Sequence, residues 1–180
     1  PGEEFGDLLE LDLSGLPDGN FRLSEISLET SVPRGEETEI QVNVYSVSQG
    51  DLTLADWTPE TLITSIQYSV SPNFSDLVTT MITLGTNNGV HHVGPGSDRI
   101  MVTISNSSNS VGLTCYDAPL TGGDGPGYWH RNLGGDWQLD RFLGDIPAHF
   151  GLQVKVLNTD TSESHVVYSP SNPKRISFTP

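Results

Sequence analysis

The feature that most constrains this chain is a two-residue alternation of apolar and polar side chains that returns in segment after segment, while helical periodicity is almost wholly missing. Ile40, Val42 and Val44 alternate through residues 39–46, and Leu62, Thr64, Ile66, Tyr68 and Val70 do the same further on. Val78 to Leu84 is an apolar, threonine-rich run, Ile100, Val102 and Ile104 repeat the pattern, and Val111, Leu113 and Cys115 follow. Trp137 and Leu139, then Phe150, Leu152, Val154 and Val156, then His165 to Tyr168, and finally Ile176 and Phe178 complete the series. Alternate side chains of a strand point to opposite faces, so such segments bury one face and solvate the other. The expected fold is all-β: an antiparallel β-sandwich, jelly roll or β-barrel of roughly ten strands with long loops. A parallel α/β sheet is excluded, because the crossover helices it needs are missing.

The first strand is expected where Leu9, Leu11 and Leu13 alternate with acids, before a turn at Leu16-Pro17-Asp18-Gly19-Asn20. Phe21 and Leu23 open the second strand, and Ile26 and Leu28 continue it on the opposite phase. That slip predicts a β-bulge near Ser24-Glu25. Pro33-Arg34-Gly35 marks another turn. One helical turn is expected, at Ala55 to Glu60, with Thr58 as N-cap and Pro59 in the first helical position.

With 180 residues the chain can bury one sizeable core, so residues 1–180 read as a single domain. The first twenty residues carry Glu3, Glu4, Asp7, Glu10, Asp12 and Asp18, and read as either an acidic N-terminal strand or a tether. The chain starts at Pro1 and stops at Pro180 straight after a strand-like run, which reads as a piece excised from something longer.

Charge narrows the partners. Eight basic against 23 acidic residues give a formal net charge of -15, and a chain so poor in clustered Lys and Arg is repelled by nucleic acid and by anionic bilayers. No stretch approaches the roughly 18 apolar residues of a membrane span, so no membrane insertion is expected. The single cysteine, Cys115, excludes an internal disulfide, reads as a buried thiol, and leans towards synthesis in a reducing compartment. The sequons at Asn73 and Asn106 then read as accidental.

A search for catalytic arrangements finds no Gly-x-Ser-x-Gly elbow, His-Glu-x-x-His, Walker loop or zinc-spaced cysteine pair. The chain reads as a non-enzyme without cofactor. His91 and His92 are strand neighbours that point apart and so do not share a metal. Asp117, Asp124 and Asp136 lie in glycine-rich segments that suit a hard cation, but EF-hand spacing is absent and no metal is expected.

The most informative segment runs from Asp117 to Asp136, read as a long loop in which glycines flank Tyr128, Trp129, His130 and Arg131, with Asp124 nearby. Tyr, Trp and Arg dominate binding hot spots, and the same set suits a sugar ring beside a guanidinium fork. The alternative is that Trp129 folds back and closes the core. A secondary loop, Gly85 to Asp98, offers Asn87, Asn88, His91 and His92.

An acidic all-β domain of this size, without a cysteine pair, rich in Thr, Ser and Asn and carrying long loops, is similar to the protruding or spike domains of small non-enveloped RNA virus capsids. Astrovirus spikes come first, then the nodavirus, tombusvirus and hepatitis E virus protrusions. The resemblance lies in organisation across the whole chain, with no family site to carry over residue by residue. It implies a homo-dimer or trimer on the virion surface, made in the host cytoplasm, that attaches to a protein or glycan receptor and displays epitopes for neutralising antibodies. The alternative is a carbohydrate-binding or adhesin module of a microbial multidomain protein, a monomer whose Tyr128, Trp129 and Arg131 contact sugar; a structural phage or appendage protein is a third. Under both binding hypotheses, replacing Trp129 and Arg131 with Ala is expected to abolish binding and leave melting nearly unchanged.

Overall fold

Strands that are apolar on one face need a second layer to cover that face, and two stacked sheets supply it here. The computed structural model describes residues 3–31, 38–47, 59–70, 77–83, 91–94, 99–106, 112–113, 115–116, 122–132, 134–140 and 149–169, with the backbone alone at 31, 38, 70, 77–83, 106, 112–113, 115–116, 123–128, 140 and 149. In chain order the strands are β1 (Glu3–Glu10), β2 (Phe21–Ser31), β3 (Thr38–Val47), β4 (Pro59–Val70), β5 (Leu77–Thr83), β6 (His92–Val93) and β7 (Arg99–Asn106). They continue as β8 (Gly112–Leu113), β9 (Cys115–Tyr116), β10 (Gly123–Asn132), β11 (Gln138–Asp140), β12 (His149–Phe150), β13 (Leu152–Asn158) and β14 (Ser164–Tyr168). Among the described residues there is no helix, and every strand pairing is antiparallel.

One sheet runs β11-β10-β1-β7-β3-β4 and the other β14-β13-β2-β5, with β6 and β8 also on β2 and a small ladder of β12 with β9. The main core lies between the two sheets. Leu9 of β1, Ile40, Val42 and Val44 of β3, and Ile100, Val102 and Ile104 of β7 meet Leu23, Ile26 and Leu28 of β2 and Leu152, Val154 and Val156 of β13. Each fully buried aliphatic side chain of this kind contributes about 1.5–3 kcal/mol. A second, smaller cluster of Leu8, Tyr45, Val47, Met101 and Trp129 occupies the opposite face of the first sheet.

The slip predicted in β2 is present. Lys155 lies opposite Glu25 and Val156 opposite Leu23, which leaves Ser24 as the extra residue, and its hydroxyl donates to the Lys155 carbonyl at 3.1 Å. Other expectations need correction. The first strand spans Glu3–Glu10, earlier than the leucine alternation suggests; the chain leaves the sheet beyond Glu10, where the Asp12 amide bonds Val167 O at 2.8 Å. The acidic start is thus an interior strand, flanked by β10 and β7.

Pro59 and Glu60 belong to β4 and not to a helical turn. β4 ends the sheet order, and a proline missing its N–H is tolerated as the first residue of such a strand. The segment read as one loop from 117 to 136 contains β10. Asp7 pairs with Tyr128 and Leu9 with Asp124, so Gly125, Pro126 and Gly127 bulge out opposite Leu8 alone, and the proline is spared a ladder position. The proposed turn residues Ala55 to Thr58, the sequon residues Asn73 and Ser107, Asn87, Asn88, Val111, Asp117, and the last run with Ile176 and Phe178 lie outside the described residues, as does the Cys115 side chain.

Gly6 sits in the middle of β1, opposite Trp129 on β10 and Thr103 on β7. A Cβ there would come within 2.0 Å of Val102 O and 2.5 Å of Thr103 Cα, both backbone atoms. Gly6→Ala is therefore expected to cost at least the upper end of the roughly 1–3 kcal/mol of overpacking. Gly15→Ala, with nothing within 4 Å, should stay within about 0.5 kcal/mol. Urea unfolding of the two variants checks the contrast.

Candidate functional site

Because β10 is a strand, the compact group Tyr128 to Arg131 is divided by its alternation. Trp129 lies opposite Gly6 and Arg131 opposite Glu4, so both occupy the face that carries Leu8. His130 lies opposite Phe5 on the other face, with Nδ1 3.4 Å from Glu3 Oε1. Tyr128 pairs with Asp7 and Asp140, and Asp124 with Leu9, through their backbones.

Glu4 organises the first of these faces. Its carboxylate is 1% exposed, and Oε1 accepts hydrogen bonds from Asn43 Nδ2 at 2.8 Å, the Tyr45 hydroxyl at 2.8 Å and Thr103 Oγ1 at 2.5 Å. Oε2 accepts from Arg131 Nε at 2.9 Å and Nη2 at 2.8 Å. Four strands thus converge on one carboxylate: β1 supplies it, β3 Asn43 and Tyr45, β7 Thr103, and β10 Arg131. Burial pushes the Glu4 carboxyl up, but the hydrogen bonds of Thr103, Asn43, Tyr45 and Arg131 outweigh it and hold the group below the ordinary value. The Tyr45 hydroxyl is pushed the other way, first by burial and then by the Glu4 charge.

Arg131 carries this network to the surface. Its side chain is 25% exposed, and Nη2 also donates to the Tyr45 hydroxyl at 3.1 Å. The guanidinium lies over the Trp137 ring with Cζ 4.3 Å from the centroid, and Trp137 meets Tyr45 edge to face at 5.7 Å and 80°. Cation–π stacking of this kind contributes about 0.5–2 kcal/mol. Nε and Nη2 are committed, while Nη1 makes no hydrogen bond among the described residues. The result is a fixed, partly exposed guanidinium beside a half-buried indole.

The other predicted residues whose side chains are described do not join this site. Trp129 is 5% exposed within the second core cluster, as in the core-closing alternative, and its Nε1 has no hydrogen-bond partner. His92 is exposed on β6 opposite Arg22. The His91 carbonyl accepts a hydrogen bond from the Leu23 amide at 2.9 Å, and the imidazole is held below the ordinary value by burial and then by His92. Asp136 is exposed, and among the described residues no three His, Cys, Asp or Glu side chains are grouped to hold a metal ion.

Sequence reasoning singled out Arg131 but missed Glu4, Asn43, Tyr45, Thr103 and Trp137. Glu4 reads as one more surface acid, and Asn43, Tyr45 and Thr103 fall on the phase that alternation assigns to solvent. The only available signal is that this phase of β3 and β7 holds Tyr45 and Met101, large side chains for a solvated face.

The expectation that alanine at 129 and 131 leaves melting unchanged is revised by these contacts. Arg131→Ala strands a buried carboxylate and is expected to cost about 3–5 kcal/mol. Trp129→Ala opens a cavity of comparable cost. Adding Glu4→Gln to Arg131→Ala should recover part of the loss, a non-additivity readable by urea unfolding as a double-mutant cycle. No family model, curated protein or solved structure matches this chain.

Proposed function

We propose that this chain is a surface domain of a viral capsid, a protrusion that attaches to a host-cell receptor and displays antibody epitopes on its connections. The observation that carries the binding part of this reading is the Arg131–Trp137 pair: a guanidinium held in place from behind by Glu4, partly exposed, and stacked on an indole. Contact area of this kind is rigid before a partner arrives, so little side-chain entropy is lost on binding. The capsid part draws its support from the all-β sandwich, the acidic charge and the resemblance in organisation described above.

Carbohydrate recognition by an adhesin module is the second reading, favoured by the same pair, because an indole edge and the Nη1 group, which makes no hydrogen bond among the described residues, suit a sugar's ring and hydroxyls. Solution mass separates the two. The capsid reading expects a dimer or trimer by light scattering, whereas the adhesin reading expects a monomer.

Trp137→Ala is the direct test of the site, since it removes the platform and leaves the Glu4–Arg131 bonds intact. It should lower binding of the purified domain to host cells, or to a glycan panel, by about tenfold, while stability falls by about 0.5–2 kcal/mol. Undiminished binding by this variant would remove the site from the proposal.

A further inference from the structure

The opposite face of β1 holds a second buried acid that neither the fold nor the site above uses. Asp7 is 0% exposed and points from the middle of one sheet into the main core, where Val102 is its register partner on β7. Its Oδ2 accepts the Phe150 amide of β12 at 3.2 Å, and Oδ1 has no hydrogen-bond partner among the described residues. From the other sheet Tyr168 of β14 is also 0% exposed, with a hydroxyl equally without a partner among the described residues. Phe5 and Phe150 close the site with an edge-to-face contact at 6.3 Å.

An ionised carboxylate cannot be held cheaply in such surroundings, because a buried charge needs a countercharge or several donors. Among the described residues, the groups around Asp7 supply no countercharge and only the Phe150 and Leu8 amides as donors. Val102 from β7 is apolar, β12 offers one amide, and Tyr168 from β14 is a neutral phenol whose ionisation is pushed up by burial and then by Asp7 itself. On β10 the register partner is Tyr128, and the next residue on that face, His130, has its Nδ1 3.4 Å from Glu3 Oε1; β12 carries His149 beside Phe150. Uncharged Asp7 fits this pocket, since a neutral carboxyl needs no countercharge and is far less costly to bury than a carboxylate.

We propose that Asp7 is held protonated in the core between the sheets, which makes the domain tightest in acidic surroundings and loosens it as the medium rises through neutrality.

The direction follows from linkage. Burial lifts the Asp7 carboxyl to about 8 from an ordinary 3.8, against the pull of the Phe150 and Leu8 amides. A group whose folded value is raised contributes stability that is complete below the unfolded value and is lost as pH rises through the folded one. The window therefore runs from about 4 to about 8. Across it, one extra proton bound by the folded state makes the unfolding constant rise up to about tenfold per pH unit.

Two measurements on the whole domain test this. In a ¹³C-carboxyl NMR titration of the wild type, the Asp7 resonance should titrate near 8; a midpoint near 3.8 would overturn the proposal. Urea unfolding of wild type and Asp7→Asn between pH 5 and 9 should show the wild type losing ground to the variant at up to about tenfold per pH unit until about pH 8. Parallel pH profiles would overturn it equally. The wild-type titration decides the matter even where Asp7→Asn does not fold.

Discussion

The burial of the Glu4 carboxylate is the constraint around which the first sheet is arranged. Five donors from Asn43, Tyr45, Thr103 and Arg131 satisfy it, and they come from three different strands. A one-residue slip of β1 against either neighbour would turn Glu4 to the main core and leave those donors unpaired. The pair is thus better regarded as fixing register than as adding stability, since a buried ion pair repays its desolvation only when its geometry is complete. Gly6 acts with it. With no side chain opposite Trp129 and Thr103, β1 sits close enough to its neighbours for the short Glu4 side chain to reach all of its partners.

The parts of the fold that sequence made legible are those where packing and local preference agree. β2, β3, β7 and β13 each carry β-branched or leucine residues on one phase, and the broken phase at Ser24 could be recognised because both halves of β2 point aliphatic side chains into the same core. Where the two disagree, sequence misleads. β10 opens with Gly-Asp-Gly-Pro-Gly, a composition that disfavours strands, and it is held in the sheet by β1 and β11 on its two sides. No local pattern reports on pairing to residues more than a hundred positions away. Pro59 misled for a related reason, being as acceptable at the start of a strand as in the first turn of a helix.

The site was half legible for the same physical reason. Arg131 and Trp129 stand out by residue type, but type does not tell a buried partner from an exposed ligand contact. Alternation along β10 then separates neighbours that sequence reads as one patch. Glu4 and Asp7 are the extreme case, because in a chain with 23 acidic residues two more acids near the start look like solvated charge. Their burial is a property of β1 lying inside the sheet, and that placement depends on β7 and β10.

Separated only by Phe5 and Gly6, these two acids meet opposite fates because their faces differ in donors and not in depth. Both are buried, yet Glu4 meets a guanidinium, a phenol, a hydroxyl and an amide, whereas Asp7, among the described residues, meets only the Phe150 and Leu8 backbone amides as donors. Glu4 stabilises as an anion, so its contribution is present above the ordinary carboxylate range and is lost as pH falls through its lowered value. Asp7 stabilises as a neutral acid and works in the reverse sense. One strand therefore carries two opposed pH dependences: its Glu4 face loses stability towards acid through the ion pair with Arg131, and its Asp7 face loses it as pH rises to about 8.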